Sequence, residues 1–197
     1  MEAINQSLFL WLNASGHPDS LILSVAIFLA QDLIWAIPAL IGISWLYGNA
    51  HHRQILLVAT VSAVLGLLAN QLIGLLWWHP RPFMMHLGHT LITHAPDSSF
   101  PSDHLTLWWA VAFSVLAQGR PKLGTALALL GVPIAWSRIY LGVHFPLDMV
   151  GAAFVAAASA WLSLRTALWY LPPVFRLATR IHRTIFSVLI EHRWVRR

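Results

Sequence analysis

The chain has 197 residues, of which 58% are hydrophobic and 10% charged; a soluble domain carries about 25% charged residues, so this composition excludes a water-covered surface and leaves lipid to face most of the molecule. The net charge of +5 does not point to nucleic acid, because the basic residues stand in short loops and one tail between apolar runs, a pattern that favours anionic lipid headgroups. With no Cys in the chain, disulfides and thiolate metal sites are excluded as well.

Met1–Leu12 is too short to span a membrane. With Glu2 and no Lys or Arg before Arg53, it lacks the basic start of a cleavable signal. Its Ile4, Leu8, Phe9, Trp11 and Leu12 fit a helix lying on the membrane surface or a short helix packed on the bundle. A spanning helix needs about 20 apolar residues, and five runs are predicted: Leu21–Tyr47, Ile55–Trp78, Leu105–Ala117, Leu123–Leu141 and Leu147–Trp169. The third covers roughly 20 Å of a core of about 30 Å, so it is expected to start below the outer surface or to extend through Gln118 and Gly119. Asp32, inside the first run, is expected to serve function or to pair with Gln31 or Asn70.

After Pro172 and Pro173 the basic segment 174–197 reads as its own amphipathic helix. Arg176, Thr179, Arg180, Arg183, Thr184, Ser187 and Glu191 form one face, and Leu177, Ala178, Ile181, Ile185, Val188 and Leu189 the other. It is expected on the anionic leaflet, with packing against the bundle as the alternative. The fold class is therefore all-α: a polytopic membrane helical bundle of about five transmembrane helices, with interfacial amphipathic helices at both ends. It forms one domain over 1–197 with its core at 21–170, and its oligomeric state is unknown from the sequence.

Orientation follows from the basic residues. Ten of the twelve, Arg53, Arg120, Lys122, Arg165 and the tail arginines, fall on one side, expected to be cytoplasmic; Arg81 and Arg138 fall on the other. This puts the N-terminus outside and the C-terminus inside.

The outer side gathers the chemistry. Seven of eleven His lie there, with Asp97, Asp103 and Asp148 and the two exceptional arginines. Arg offers planar donors to phosphate oxygens, and His serves as nucleophile or proton carrier near neutral pH. Three segments hold these residues, each at the outer end of a span: HPRPF with Arg81; HAPDSSFPSDH from His94 to His104; and SRIYLGVHFPLD from Ser137 to Asp148. Ser102 stands where the third span begins, a place for an N-cap and for an anion on free backbone amides. Asp148, four residues after His144, is close enough to hold one ring nitrogen and leave the other to attack. Asp103 either orients His104 or is a plain first-turn acid; His94 and Asp97 either contact the substrate or hold their loop. His86, His89 and His94 fit no standard ligand set, so no metal and no cofactor are expected.

These segments resemble the signature of the type-2 phosphatidic-acid phosphatase superfamily: a lysine followed by Arg-Pro, then Pro-Ser-Gly-His, then Ser-Arg with a downstream His and Asp. The third element matches as Ser137, Arg138, His144 and Asp148, and the second as Pro101, Ser102 and His104, with Asp103 for the glycine. The first matches only as Arg81 and Pro82, because Gly74 holds the lysine position. The wording is most similar to the bacitracin-resistance-type undecaprenyl-diphosphate phosphatases.

That resemblance implies a membrane lipid substrate and a site facing the exterior of a bacterial cytoplasmic membrane. It also implies carrier-lipid recycling for cell-wall synthesis. His144 would attack the terminal phosphorus, Asp148 would orient it, and Arg81, Arg138 and Ser102 would hold the phosphoryl oxygens. His104 would protonate the leaving lipid and then activate water. Other lipid phosphates (phosphatidic acid, phosphatidylglycerol phosphate, lipid A) are the alternative within the class, and a transporter or channel is the rival class. For the missing lysine, residues 74 and 81 are expected on one helix face, with His79 the first candidate substitute and His94 the second. Such a histidine would make catalysis improve as pH falls toward about 6.

Overall fold

The computed structural model describes residues 2–196 and is all helical. The helices are α1 (Glu2–Leu12), α2 (Ser20–Ile27), α3 (Ala36–Tyr47), α4 (Ala50–Leu76), α5 (Asp103–Ala117), α6 (Pro121–Tyr140), α7 (Pro146–Ile185) and α8 (Ser187–Glu191). The starts follow local chemistry. Asp19 accepts from the amides of Leu21 and Ile22 to open α2, and Asn49 accepts from His52 to open α4. Pro121 and Pro146 occupy first-turn positions of α6 and α7, where the missing N–H costs nothing.

Four helical stretches among the described residues are long and apolar enough to cross a membrane: Ser20–Tyr47, Ala50–Leu76, Pro121–Tyr140 and Pro146–Ile185. The third expected span, α5, is short, and it does not extend through Gln118 and Gly119, because Gly119 turns the chain with a φ of +78°. Its placement explains the length. Eight of its fifteen residues are buried, and α4, α6 and α7 pack around it, so it meets protein where the other helices meet lipid. Trp108 and Trp109 donate their indole N–H groups to the Leu127 and Ala128 carbonyls of α6. Gly131 permits this approach, since a Cβ there would lie 2.0 Å from the Trp109 indole nitrogen.

The first span departs from a plain α-helix. A π turn (Phe28–Asp32) and a 3₁₀ turn (Leu33–Trp35) join α2 to α3. Asp32 is exposed and makes no side-chain hydrogen bond among the described residues; it pairs with neither Gln31 nor Asn70. Asn70 instead donates to Asp103 and Thr106.

The tail is a second correction. Pro172 and Pro173 lie inside α7, which continues to Ile185. The prolines leave unpaired only carbonyls one turn earlier, around Leu168 and Trp169, which are themselves well exposed. At about 1.5 Å per residue, the 40 residues of α7 reach about 60 Å, twice the hydrocarbon core. Past α8 the chain folds back: the amide of Arg196 donates to Leu46, and buried Arg53 donates to the carbonyls of Trp45 and Arg196 and to His182. The tail therefore docks on the α3–α4 turn, while Leu177, Ile181, Ile185 and Val188 stay exposed.

Candidate active site

Three segments converge where α4 ends and α5 and α7 begin. The connection between α6 and α7 carries the centre. Gly142, at φ +83°, lets it cross the Leu87–Leu91 strand of loop, where a Cβ would meet the His89 carbonyl at 2.2 Å. His144 follows and is 1% exposed. Asp148, in the first turn of α7, accepts from the Phe145 amide at 2.8 Å and from Nδ1 of His144 at 3.1 Å. One carboxylate thus starts the helix and holds the imidazole. Ser99, buried, donates its hydroxyl to the same carboxylate oxygen.

With Nδ1–H committed to Asp148, Nε2 of His144 carries the lone pair, and two arginines face it. Nη1 of Arg81 lies 3.1 Å away and Nη2 of Arg138 3.4 Å away. Burial, followed by the positive groups Arg138, Arg81, His94 and His104, holds the His144 imidazole well below its ordinary pKa. The ring is a neutral base aimed into a cationic pocket.

Each arginine is fixed by further bonds. Arg81 donates to Asp97 (2.8 Å), the Val143 carbonyl (2.9 Å) and the Ser98 carbonyl (3.2 Å), tying the three segments together. Arg138, 2% exposed, donates to Nε2 of His94 (3.0 Å) and to the Ala30 carbonyl (3.3 Å). Ala30 sits in the π turn, whose widened ring leaves a carbonyl for an outside donor. Two buried donors of the site have no partner among the described residues: the Ser102 hydroxyl and Nε of Arg138. Buried donors of this kind carry a cost of about 1–3 kcal/mol each unless a ligand accepts from them. Ser102 precedes α5 as expected, but its side chain caps no amide.

The remaining expected residues fall into two groups. His94, Asp97 and His104 join the pocket. Burial, with Arg81 and Arg138 nearby, lowers the His94 pKa despite its bond to the Ala95 carbonyl. His104, in the first turn of α5, makes no side-chain hydrogen bond among the described residues and contributes to the field at His144. Asp103 and His79 turn elsewhere. Asp103 accepts from Asn70 and Gln71 and ties α5 to α4; it does not bond His104. His79 lies 3.7 Å from Glu2 and packs edge-on against Phe145, so His94, and not His79, stands beside Arg138. Arg81 also lies outside α4, four residues past Trp77, and shares no helix face with Gly74. A Cβ on Gly74 would sit 3.3 Å from Cβ of Ser98, so a side chain at 74 would press on Ser98, which would have to give by a few tenths of an ångström. No three His, Asp or Glu side chains among the described residues come together as metal ligands would.

The sequence reading missed Ser99, although it lies in the quoted His94–His104 segment, and it missed the use of α1. Phe9, fully buried, packs on Phe145 with ring centroids 5.3 Å apart. Asn5 accepts from the Leu147 amide, and Asn13 donates to Tyr140 and His89. The packed alternative thus holds for this helix, which braces the turn carrying His144.

With the geometry in place, comparison with known proteins is direct. The family model described as PAP2 superfamily matches residues 54–171. The chain is 37% identical to the putative undecaprenyl-diphosphatase YbjG of Escherichia coli K12, over 100% of this chain and 99% of that protein. It is 36% identical to the undecaprenyl-diphosphatase BcrC of Bacillus subtilis 168, over 95% and 96%. Among solved structures, Aquifex aeolicus LpxE superposes with a TM-score of 0.65 at 21% identity, covering 82% of this chain and 95% of that one.

Proposed function

The chain belongs to the PAP2 superfamily and is a multi-pass membrane phosphatase, and from that premise we propose that it hydrolyses undecaprenyl diphosphate to undecaprenyl phosphate and inorganic phosphate through a phosphohistidine. The observation that carries this reading is the environment of His144: Nδ1 on Asp148, and Nε2 unprotonated between Arg81 and Arg138.

In the first step Nε2 attacks the terminal phosphorus. A P–N bond forms as the bridging P–O bond breaks, and the electron pair leaves with the lipid monophosphate. Asp148 stabilises the positive charge that develops on the ring. Arg81, Arg138 and the Ser102 hydroxyl donate to the phosphoryl oxygens, which gives Ser102 and Nε of Arg138 the acceptors they lack among the described residues, the electrostatic contribution that dominates phosphoryl transfer. His104 gives a proton to the leaving phosphate. In the second step the same His104 takes a proton from water, whose oxygen attacks phosphorus, releasing inorganic phosphate and restoring His144.

The choice of lipid rests on the two full-length relatives named for undecaprenyl diphosphate. The exposed Leu75, Leu76, Trp77 and Trp78 at the site end of α4 supply an apolar surround for a long isoprenoid chain. The ten-to-two basic asymmetry orients the site to the exterior of a bacterial cytoplasmic membrane. In that orientation the exposed apolar stripe of α7 and Arg176, Arg180 and Arg183 meet anionic headgroups. On this proposal the enzyme serves carrier-lipid recycling for cell-wall synthesis and bacitracin resistance, a reading supported by the names of the two full-length relatives.

The test is phosphate release by purified protein from a panel of undecaprenyl diphosphate, phosphatidic acid, phosphatidylglycerol phosphate and lipid A. Undecaprenyl diphosphate should turn over fastest, and His144→Ala should retain under about 1% of activity, a loss of about 3 kcal/mol. Preference for another lipid moves the substrate assignment, and an active His144→Ala protein sinks the mechanism. In intact cells an impermeant thiol reagent should label a cysteine introduced at position 90 and spare one at position 120; the reverse pattern inverts the orientation.

A further inference from the structure

The end of the bundle opposite His144 holds a second feature that the reaction does not use. A cavity of about 490 Å³ opens between the α3–α4 and α5–α6 pairs, a size within the range of ligand sites. Its apolar side is formed by Ile55, Val115 and Leu123, and its basic side by His52, Arg120 and Lys122. No acidic residue lines it. The three basic side chains have no hydrogen-bond or ion-pair partner among the described residues. Their neighbour Arg53 makes the contrast: it is buried and satisfied by Trp45, His182 and Arg196, so it serves the fold, whereas Arg120 and Lys122 leave their donors free.

We infer that this cavity binds one anionic phospholipid of the adjacent leaflet. Its phosphate lies between Arg120 and Lys122, with His52 beside it, and the start of one acyl chain lies along Ile55, Val115 and Leu123. Two kinds of occupant fit the lining less well. A soluble anion would leave the apolar side in water, and an uncharged lipid would leave the cations unpaired. Basic pockets between membrane helices recognise anionic headgroups on this physical ground. No described residue of α7 or of the docked tail lines the cavity. It is also remote from the chemistry, since Val115 and His104 stand near opposite ends of α5. The inference therefore does not depend on which lipid is hydrolysed.

The experiment uses the full-length protein in neutral detergent, titrated with phosphatidylglycerol, phosphatidylcholine or inorganic phosphate and read by native mass spectrometry. Wild type should retain one phosphatidylglycerol in preference to phosphatidylcholine. Arg120→Gln with Lys122→Gln should weaken that binding about tenfold or more. Leu123→Trp, which fills the apolar side and keeps both charges, should weaken it as well. Arg165→Gln, a basic residue of α7 outside the cavity lining, should leave it unchanged. Thermal melting in the absence of lipid establishes that each variant is folded. Equal retention by wild type and the Arg120/Lys122 variant would mean annular lipid only and overturn the site. So would an equal loss in the Arg165 variant, or inorganic phosphate binding as tightly as the lipid.

Discussion

Ser99 and Asp148 share a hydrogen bond at the buried centre of the site: the serine hydroxyl donates to Oδ2 of the carboxylate, the same oxygen that faces Nδ1 of His144 at 3.1 Å. Asp148 is thereby held from three sides, by Ser99, by His144 and by the Phe145 amide. Ser99→Ala removes one of them and lets the carboxylate rotate, which loosens the imidazole without touching substrate. The expected result is a kcat about tenfold lower, roughly 1.4 kcal/mol, with KM little changed. Steady-state kinetics decide it, and an unchanged kcat would show that two contacts suffice.

The histidine nearest the arginines is His94, and its role differs from that of a substitute lysine. Its Nε2 accepts from Arg138, so it works neutral, as a positioner of the guanidinium. His94→Ala should lower kcat/KM about tenfold. His79→Ala loses a 3.7 Å contact with exposed Glu2, a local bond to the Pro80 carbonyl and an edge contact on Phe145, none of them to an arginine of the site, and should cost far less. Equal losses would put both histidines in the same role.

The pH dependence follows from the same burial. The pKa values of His94 and His144 are both lowered, first by desolvation and then by the arginines. A base with a depressed pKa stays neutral above that value and is lost only as pH falls through it. Both rings charge only at a lower pH than an unperturbed histidine, whose ordinary value is about 6.5. The rise in efficiency toward pH 6 expected from sequence should therefore be absent. A rise that vanished in His94→Ala would show that this ring charges after all.

The helix α1 gives a fourth test. Phe9→Ala opens a hole beneath Phe145, next to the nucleophile, and should cost about 3 kcal/mol of stability. It should also lower kcat at a temperature where the protein remains folded, and Phe9→Leu should restore most of both. Melting and kcat measured on the same samples check it. Full activity in the alanine variant would reduce α1 to a surface helix.

What was legible in the sequence was what lipid and phosphate each demand of residue type. The long apolar runs announced spans because nothing else covers such surfaces in a membrane. Arg81, Arg138, His144 and Asp148 announced themselves as ionisable groups at the ends of those runs, and the structure brings all four together. Less visible was anything set by packing between distant residues. The bracing by Asn5 acts on Leu147 across 142 positions, and a lone polar residue in an apolar stretch does not name its partner. The π turn at Ala30 has no local breaker to reveal it; its warrant is Arg138, over a hundred residues away. Pro172 and Pro173 read as a stop because soluble helices end at such pairs, yet α7 continues through them. Gly74 read as a missing charge, and its close approach to Ser98, 3.3 Å from where a Cβ would stand, is set by a segment more than twenty residues away.

His104 supplies the last and most discriminating prediction, because its two tasks have different demands on a diphosphate. In the first step the leaving group is a lipid monophosphate, whose second pKa is about 6, so it departs with little help from an acid. A monophosphate ester would instead expel an alkoxide, which needs the proton. In the second step water must lose a proton whatever the substrate was, and general base catalysis contributes about 100-fold or more there. His104→Ala should therefore spare phosphorylation by undecaprenyl diphosphate and block hydrolysis of the phosphoenzyme. Rapid-quench measurements should show a burst of lipid monophosphate equal to the enzyme present, followed by slow turnover, with label retained on His144. On a lipid monophosphate ester the same variant should show no burst, since both steps are impaired. A uniform slowing on both substrates, without retained label, would take His104 out of the second step and leave the activation of water to another group.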